Sequence, residues 1–325
     1  METDRRFLNK FTQHFQSIDE ELKKSFTTGV ALIRDIGEHS LLAEGKRLRP
    51  LLFVLSSQLC GSGREDIFRL STMFEYLHTA SLLHDDVIDN ADTRRRKPSA
   101  NSVWGNSAAV LTGDYLASLA SAIALGSDKI EMLKVLNDTG AEMTEGQVRE
   151  LVHTNNWNTT RAEYMDIIIA KTAVLMSAAC SCGAIISNAG KETVDQMGRF
   201  GLSLGTAFQL MDDLLDYTSS EERFGKPVGK DIREGKITLP LIYTLEGIER
   251  DELNRLKVLF ENNKAVEADY NELIEVVRGS GAIEKVRSDA KGYADRAVGF
   301  LDIFPPSSLK EDLLALNEYI VERTF

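Results

Sequence analysis

The sequence contains few of the residues that mark several common classes of protein. Its 325 residues include only three cysteines and six prolines. Three cysteines (Cys60, Cys180 and Cys182) are too few for a disulfide framework, and the Cys180-x-Cys182 pair lacks the partners of a zinc site. This scarcity indicates a reducing compartment, and we predict a cytoplasmic location.

The sequence also lacks a secretion signal, a convincing membrane span and any excess of positive charge. The N-terminal stretch METDRRFLNKFTQHF has no apolar core of a signal peptide. Residues 172–190, TAVLMSAACSCGAIISNAG, are uncharged, but their small side chains suit close packing inside a protein better than a bilayer. The net charge of -12 argues against general affinity for nucleic acid or anionic membranes. We therefore predict no transmembrane segment and no nucleic-acid partner.

Long proline-rich or glycine-rich linkers are absent, and the hydrophobic pattern between the short breaks is helical. Over residues 67–88, apolar residues recur at the spacing of a helix face rather than in alternation. The same pattern predicts helices over roughly 104–125, 129–152, 161–188, 192–218, 237–246, 251–262, 266–279, 281–302 and 307–323. Thr160 and either Ser307 or Ser308 are the expected caps of the helices that follow them. The sequence predicts an all-α fold with a single domain over residues 1–325.

Residues 82–97, LLHDDVIDNADTRRRK, concentrate acidic and then basic side chains. Asp85 and Asp89 are one helical turn apart, so on a helix they share one face, with Asp86 beside them. Two carboxylates so close destabilise a helix unless a cation binds between them, and oxygen-only ligands favour Mg²⁺. A single pattern of this kind is also typical of a solvated acidic helix face, so alone it is a weak signal.

A second occurrence of the same pattern strengthens the metal interpretation. Residues 208–216, FQLMDDLLD, place Asp212, Asp213 and Asp216 at the same spacing on an otherwise apolar helix. Two such clusters that face one another would be hard to tolerate without divalent metal. The pair of helices therefore predicts several Mg²⁺ ions that clamp a diphosphate.

Basic residues accompany both acidic clusters and suit the oxygens of a diphosphate. These residues are Arg94 and Arg95 after the first cluster, and Lys226, Lys230 and Lys236 within FGKPVGKDIREGK after the second. A further basic group, GKRLRP, occupies residues 45–50. For Arg96 and Lys97 we favour a simpler interpretation, the basic C-terminus of a helix.

Taken together, these motifs resemble those of the all-trans polyprenyl diphosphate synthases of the isoprenyl diphosphate synthase family. The resemblance runs over nearly the full length, through GKRLRP, LLHDDVIDNADTRRRKPSAN, GDYL, EGQ, AKTAVL, FQLMDDLLD and GKPVGKDIREGKITLP. It implies a helical bundle of the isoprenoid synthase type around a central active-site cavity, and a homodimer. Arg96 stands where many relatives have glycine, and Lys230 where relatives often have an acid. Neither departure removes a residue that the chemistry needs.

The resemblance also implies a role for each matching residue. Mg²⁺ ligands would be Asp85, Asp89, Asp212 and Asp216. Contacts to the allylic diphosphate would be Arg94, Lys171, Thr172, Gln209 and Lys226, with Lys236 as a further diphosphate contact. Contacts to isopentenyl diphosphate would be Lys46, Arg49, His78 and Arg95. The implied catalytic residues are Asp85, Asp89, Arg94, Lys171, Asp212 and Lys226. Without the resemblance, His78, Thr172 and Gln209 would be interpreted as ordinary packing residues.

The implied reaction is a Mg²⁺-dependent chain elongation. It condenses isopentenyl diphosphate with an allylic diphosphate, which we expect to be farnesyl or geranylgeranyl diphosphate. The allylic C–O bond ionises while metal and basic side chains stabilise the departing diphosphate. The double bond of isopentenyl diphosphate then attacks, and a proton is lost. No side-chain nucleophile is required.

The residues that precede the first acidic cluster predict the length of the product. In short-chain relatives an aromatic side chain typically closes the pocket four or five residues before the first aspartate, and here Ser81 and Ala80 occupy these positions. We therefore predict a long product, in the hexaprenyl to decaprenyl range. Leu77, Phe74 or a neighbouring helix would form the floor of the pocket. The alternative is that Ala80 and Ser81 only permit close helix packing.

Two other functions fit parts of the pattern. A class I terpene cyclase shares the all-α fold and a first aspartate cluster, but typically has a different second metal motif and lacks the bases for isopentenyl diphosphate. A non-catalytic regulatory subunit would be expected to have lost an aspartate or an arginine, and here each is present. The sequence therefore favours an active prenyltransferase.

Overall fold

The computed structural model describes residues 9–43, 45–94, 97–218, 228–261 and 265–322. Within these ranges the chain is mostly helical, which confirms the predicted all-α class. Three of the predicted basic residues, Arg95, Arg96 and Lys226, lie outside the described residues.

The helices and strands are numbered here in chain order. A 3-10 turn (Asn9–Phe11) leads into α1 (Thr12–Ser25), α2 (Ala31–Leu41), α3 (Leu48–Leu59) and α4 (Ile67–Ile88). The antiparallel strands β1 (Thr93–Arg94) and β2 (Lys97–Pro98) precede α5 (Ala100–Trp104), α6 (Asn106–Leu125), α7 (Ile130–His153) and α8 (Arg161–Ile168). A π-turn (Ile169–Ala173) leads into α9 (Val174–Ile186) and α10 (Lys191–Thr218). The remaining helices are α11 (Lys230–Arg233), α12 (Leu239–Gly247), α13 (Arg250–Glu261), α14 (Glu267–Gly279), α15 (Ala282–Phe300) and α16 (Ser308–Glu322).

Contacts between residues group the chain into two compact units. Unit 1 comprises residues 1–140, 175–201 and 301–313, and unit 2 comprises residues 141–174, 202–300 and 314–325. The single domain expected over residues 1–325 stays a prediction.

Helix α4 is the central helix of unit 1. It packs mainly against α6 and also against α3 and α1. The rings of Phe53 and Phe74 lie 5.3 Å apart in the contact between α3 and α4, and both side chains are fully buried. Because α4 carries the first acidic cluster at its C-terminal end, this core fixes the position of that end.

The buried Arg47 anchors the loop before α3 in unit 1. Its backbone has the left-handed φ of +45°. Its guanidinium donates hydrogen bonds to Glu75 at 2.6 Å, to Asp19 at 2.9 Å and to the carbonyl of Leu41 at 2.6 Å. Arg47 therefore ties the loop to three helices.

The core of unit 2 is built from α8, α10 and the helices from α12 to α15. Helix α10 contributes Leu210, Met211 and Leu214 to this core. The ring of Phe260 packs against Trp157 and Tyr270, with ring centroids 5.1 and 5.2 Å away. The apolar residues of FQLMDDLLD thus face the core, as the sequence pattern predicts.

Most helix boundaries agree with the sequence to within two or three residues, and the caps explain two of them. Thr160 and Glu163 form a reciprocal capping box at the start of α8. The Ser307 hydroxyl accepts a hydrogen bond from the Lys310 N–H at 3.2 Å. Ser307 is therefore the candidate whose side chain caps the start of α16.

Two local features differ from the sequence prediction. The predicted helix over 161–188 is interrupted by the π-turn, which the sequence does not announce with proline or glycine. The interpretation of Lys97 as part of a helix C-terminus is wrong, because α4 ends at Ile88 and Lys97 lies in β2. The pairing of Arg94 with Lys97 across the hairpin takes the chain out of helical geometry.

Within the described ranges, two helical stretches are long and apolar enough to cross a membrane by length and composition alone, Asn106–Leu125 and Arg161–Ile186. The second is 78% buried, and its Cys180 and Cys182 are fully buried. Residues 172–186 therefore pack as the core helix that their small side chains predict. The first stretch is 39% buried and exposes Leu111 and Leu125.

Candidate active site

The first acidic cluster lies at the C-terminal end of α4 in unit 1. Asp85 and Asp86 belong to the last turn, and the N–H of Asp89 donates to the carbonyl of Asp85 at 2.8 Å. This helical bond keeps Asp85 and Asp89 one turn apart on one face, as predicted. Both side chains are partly exposed, so their carboxylates are accessible to a ligand.

The third acid of this cluster, Asp86, lies on a different face and is buried. Arg94, on β1, contacts its Oδ1 with Nε at 2.7 Å and with Nη2 at 2.5 Å. The backbone carbonyl of Asp86 also accepts a hydrogen bond from Asn101. The structure thus pairs Arg94 with Asp86, and the contact of Arg94 with a substrate stays a prediction.

A small cavity borders this ion pair within unit 1. It is lined by His39, Ser40, Ala43, Thr79, Leu82, Leu83, Asp86, Arg94, Lys97, Ser99 and Ala100. Its walls are mainly apolar, and the Asp86–Arg94 pair and Lys97 supply the charge.

His84, which directly precedes Asp85, explains the GDYL motif of α6. Its Nε2 lies 3.1 Å from the carbonyl of Val110 and 3.4 Å from a carboxylate oxygen of Asp114. A Cβ on Gly113 would lie 2.4 Å from this nitrogen, so a larger residue there would require the His84 ring to move. The motif therefore fastens α6 to the end of α4 that carries the first cluster.

The predicted product-length residues of α4 occupy different environments. Ala80 is 2% exposed and Phe74 is fully buried, so both belong to the core of unit 1. Ser81 and Leu77 are partly exposed and precede Asp85 by one and two helical turns, on roughly the same face. The burial of Ala80 agrees with the close-packing alternative, whereas Ser81 and Leu77 remain candidates for lining a product pocket.

The three bases of GKRLRP have different environments too. Lys46 is exposed and Arg49 is partly exposed, while Arg47 is buried in its ion pairs. His78 is also partly exposed. The predicted contacts of Lys46, Arg49 and His78 with isopentenyl diphosphate stay predictions.

The second acidic cluster lies in the last turns of α10 in unit 2. The hydroxyl of Tyr164 donates to Asp213 Oδ2 at 2.6 Å, and Gln209 Nε2 donates to Oδ1 at 2.6 Å. Asp216 accepts hydrogen bonds from the backbone N–H groups of Lys230 and Asp231, at 3.1 and 3.0 Å. Asp212 is partly exposed.

Burial raises the pKa values of carboxyl groups in and beside this cluster. Burial raises the pKa of Asp213 to about 7, despite the hydrogen bonds from Tyr164 and Gln209 that lower it. Burial also raises the pKa of Asp216, and it raises that of Asp231 well above its ordinary range. A bound cation would offset this cost, because it favours the charged carboxylates.

A second cavity lies within unit 2 and joins these acids to predicted basic and polar residues. It is lined by Glu150, His153, Thr159, Tyr164, Ile167, Ile168, Lys171, Thr172, Gln209, Asp213, Asp231, Lys236, Ile237 and Thr238. Four of the lining residues, Lys171, Thr172, Gln209 and Lys236, are predicted diphosphate contacts. The cavity therefore gathers these four residues, of which the first and last are 65 positions apart in the sequence.

An ion-pair network connects the lysines of the unit 2 cavity. Lys171 Nζ lies 2.7 Å from Glu150, and Lys236 Nζ lies 3.5 Å from Glu150 and 2.8 Å from Glu234. Lys230 Nζ pairs with Glu234 at 2.8 Å. Burial alone would raise the pKa of Glu234, but the two neighbouring lysines hold it below its ordinary value.

Lys171 occupies the π-turn, and two glycines allow other helices to approach it. A Cβ on Gly146 of α7 would lie 2.6 Å from the Lys171 backbone nitrogen. A Cβ on Gly205 of α10 would lie 2.7 Å from Cα of Ala173. Both contacts are to backbone, which cannot move aside easily, so glycine is required at each position. Gly146 belongs to the EGQ motif, which this packing explains.

Sequence reasoning missed three residues of this cavity: Glu150, Tyr164 and Asp231. Asp231 lies inside the GKPVGKDIREGK motif and could have been identified from it. Glu150 lies one helical turn beyond EGQ, where an acid on a polar helix carries no separate signal. Tyr164 is one of eight tyrosines, and only the fold places it beside Asp213.

The carboxylates fit a divalent metal that is completed by other ligands. Among the described residues, no group of three or more His, Cys, Asp or Glu side chains is arranged to hold a metal ion by itself. Mg²⁺ commonly takes one or two carboxylates and fills its remaining positions with water and substrate phosphates. Asp85 with Asp89, and Asp212 with Asp216, supply oxygen donors of that kind. That these two sets share metal ions stays a prediction.

Comparison with known proteins agrees with the resemblance that the sequence motifs show. The sequence model of a family described as Polyprenyl synthetase matches residues 30–277. Octaprenyl diphosphate synthase of Escherichia coli (strain K12) is 32% identical over 317 residues, which cover 97% of this chain and 98% of that protein. All-trans-nonaprenyl-diphosphate synthase (geranyl-diphosphate specific) of Rhodobacter capsulatus is 34% identical over 313 residues, covering 96% and 95%.

A solved structure agrees over almost the whole chain. The polyprenyl synthase from Caulobacter crescentus CB15, complexed with calcium and isoprenyl diphosphate, matches with a TM-score of 0.94 and 34% identity. The match covers 99% of this chain and 98% of that one. Similarity in sequence and in fold therefore points to the same group of proteins.

Proposed function

This chain belongs to the polyprenyl synthetase family, and from that premise we propose that it condenses isopentenyl diphosphate with farnesyl or geranylgeranyl diphosphate. As a member of the family, the chain is a polyprenyl diphosphate synthase, a prenyltransferase that makes long-chain products. The primer, the final chain length and the metal are the parts that we propose.

The cavity of unit 2 is the single observation that carries the proposal. It is lined by two lysines, three threonines and a glutamine, together with a buried carboxylate and apolar residues. Lysine ammonium groups suit diphosphate oxygens, and the apolar wall suits a prenyl chain. We assign Lys171, Thr172, Gln209 and Lys236 to the allylic diphosphate, with Arg94 and with Lys226, which lies outside the described residues.

Magnesium is the proposed metal, with Asp85, Asp89, Asp212 and Asp216 as its protein ligands. Mg²⁺, when bound, would supply Lewis-acid stabilisation of negative charge on the diphosphate. The oxygen-only donor set supports this choice over zinc or copper.

Different side chains of this protein act on the allylic diphosphate and on isopentenyl diphosphate. The ammonium groups of Lys171 and Lys236 balance the charge that develops on the departing diphosphate as the C–O bond breaks. Ile167, Ile168 and Ile237 keep water away from the allylic cation, which water would otherwise quench. Lys46, Arg49, His78 and Arg95 orient isopentenyl diphosphate so that its double bond attacks. The departing diphosphate accepts the proton that is then lost.

We propose a product in the hexaprenyl to decaprenyl range. The octaprenyl and nonaprenyl synthases among the similar proteins support this range, as does the absence of an aromatic residue at positions 80 and 81. Ser81 and Leu77 are the proposed pocket residues. A homodimer and a cytoplasmic location are proposed with the function, on the basis of family resemblance and of cysteine content.

Product analysis tests the function directly. The purified protein is incubated with excess isopentenyl diphosphate, Mg²⁺ and geranyl, farnesyl or geranylgeranyl diphosphate in separate reactions, and the products are sized by mass spectrometry. We expect a ladder that ends at one long species and that EDTA abolishes. Consumption of the allylic diphosphate without isopentenyl diphosphate would indicate a terpene cyclase instead. No turnover with any primer would favour a regulatory subunit.

A further inference from the structure

We propose that Glu150 is a positioning residue that holds the ammonium groups of Lys171 and Lys236 side by side at the unit 2 cavity. The proposal rests on the proposed function, because it assigns both lysines to the diphosphate. It extends that function to a residue on α7 that none of the recognised motifs contains.

The carboxylate of Glu150 bridges the two lysines. Its Oε2 lies 2.7 Å from Lys171 Nζ, and its Oε1 lies 3.5 Å from Lys236 Nζ. The three side chains are only 16% to 22% exposed, and all three line the cavity. Two ammonium groups this close would repel each other strongly in a partly buried site without an anion between them. Glu234 also pairs with Lys236, at 2.8 Å, but Glu150 is the carboxylate that contacts both ammonium groups.

The backbone on both sides of Glu150 is fixed to the segments that carry the lysines. One turn earlier, Gly146 packs directly against the backbone of Lys171. Beyond the C-terminal end of α7, the N–H of Asn155 donates to the carbonyl of Gly235 at 2.8 Å. A Cβ on Gly235, which has φ of +77°, would lie 2.5 Å from Asn155 Oδ1. The segment from Gly146 to Asn155 thus touches the backbone of Lys171 and the residue before Lys236, with Glu150 between these contacts.

An ion pair with Glu150 is compatible with diphosphate binding by the same lysine. A lysine ammonium has three N–H donors, so a single ammonium can interact with a carboxylate and with phosphate oxygens at the same time. Glu150 also cancels one of the two positive charges, which weakens the electrostatic attraction for a diphosphate in the ground state. Glu150 therefore contributes by positioning the two lysines, so its removal should lower kcat and should not weaken diphosphate binding.

The test is Glu150→Gln, which removes the charge and keeps the size of the side chain. We expect kcat for condensation to fall about ten- to a hundred-fold, the usual cost of losing a group that orients binding residues. We expect the KM for the allylic diphosphate to stay the same or to decrease, because the cavity gains one positive charge. Glu150→Asp should give an intermediate kcat, since its shorter side chain keeps the charge but cannot reach both lysines equally well.

Binding of inorganic pyrophosphate, followed by calorimetry without turnover, gives a second readout. Glu150→Gln should bind pyrophosphate as tightly as the wild type or more tightly. The matched control is Glu145→Gln on the same helix, which removes the same charge from an exposed pair with Arg149 at 3.2 Å. The control should keep the wild-type kcat, KM and pyrophosphate affinity.

An unchanged or higher kcat in Glu150→Gln would overturn the positioning role. So would a loss of pyrophosphate affinity in parallel with kcat, because that result indicates general damage to the cavity. A wild type that elongates no primer would overturn the proposed function by itself. In that case the pyrophosphate titration tests the contact of Glu150 with the two lysines: tighter binding in Glu150→Gln than in Glu145→Gln supports it, and equal or weaker binding overturns it.

Discussion

The hydroxyl of Tyr164 donates a 2.6 Å hydrogen bond to Oδ2 of Asp213, a carboxylate that is only 3% exposed. Gln209 donates to the other oxygen of the same carboxylate. Through these two bonds, α8 and α10 hold a buried carboxylate beside the cavity of unit 2. They also make Asp213 sensitive to the loss of either donor.

Tyr164→Phe should destabilise the protein by about 1–3 kcal/mol, because it leaves a buried carboxylate oxygen without its donor. Urea unfolding measures this loss. Tyr243→Phe is the matched control: the Tyr243 hydroxyl also donates to a carboxylate, Asp289, but that side chain is 26% exposed and also pairs with Arg161. We expect a smaller loss there, and equal losses in the two variants would contradict the importance of burial at Asp213.

The raised pKa of Asp213 should make stability depend on pH in the absence of divalent metal. In the unfolded chain this carboxyl titrates near its ordinary value of 3.8, and in the folded protein near 7. Between these values the folded state binds more protons, so stability falls as pH rises from about 4 to about 7, by at most about 1.4 kcal/mol per pH unit. Thermal unfolding in EDTA over this range measures the slope. Asp213→Asn, which is neutral throughout, should reduce the slope and leave the part contributed by Asp216 and Asp231, whose pKa values are also raised. An unchanged slope would assign the whole effect to those other groups.

Gly146→Ala should cost about 1–3 kcal/mol, since the new methyl group would overlap the backbone of Lys171. It should also lower condensation activity, because the π-turn that carries Lys171 must shift. Gly140→Ala on the same helix is the control: nothing lies within 4 Å of its added Cβ, and alanine favours a helix by about 1 kcal/mol over glycine. Comparable destabilisation in the two variants would show that the close approach at Gly146 is unimportant. Unfolding midpoints and steady-state rates provide the measurements.

Ser81→Phe should shorten the final product by at least one isoprene unit, because its ring would project from the face of α4 that carries Asp85. Mass spectrometry of the product ladder measures the change. Ala80→Phe tests the neighbouring position, where a ring inserted into the core should instead lower stability by about 1–3 kcal/mol. If Ala80→Phe folds normally and shortens the product while Ser81→Phe does not, Ala80 is the wall of the pocket.

The sequence predicts the helices well because their signals are local. The span Ile67–Ile88 follows from apolar periodicity alone, and the capping box at Thr160 follows from two residues three positions apart. The π-turn at Ile169–Ala173 could not be predicted in this way. It changes the hydrogen-bond register of a helix without a change in composition, and its contacts with Gly146 of α7 and Gly205 of α10 form only in the folded chain.

The sequence predicts only those residues of the site that belong to a recognisable motif. Lys171, Thr172, Gln209 and Lys236 were identified by resemblance, and the fold gathers them around one cavity. Glu150 carries no signal of its own, because its importance lies in two lysines 21 and more positions away. The pairing of Lys97 with Arg94 between two short antiparallel strands likewise has no signal in residue composition.

Arg47 shows what this means for variant screening in cells. It lies between Lys46 and Arg49 in GKRLRP, yet its guanidinium is committed to Glu75, Asp19 and a backbone carbonyl. Removing one partner of a buried ion pair typically costs about 3–5 kcal/mol, enough to lower the amount of folded protein sharply. A growth selection would therefore score position 47 as severely as a substrate-binding position. Quantifying the abundance of each variant alongside growth would distinguish lost protein from lost chemistry across these six residues.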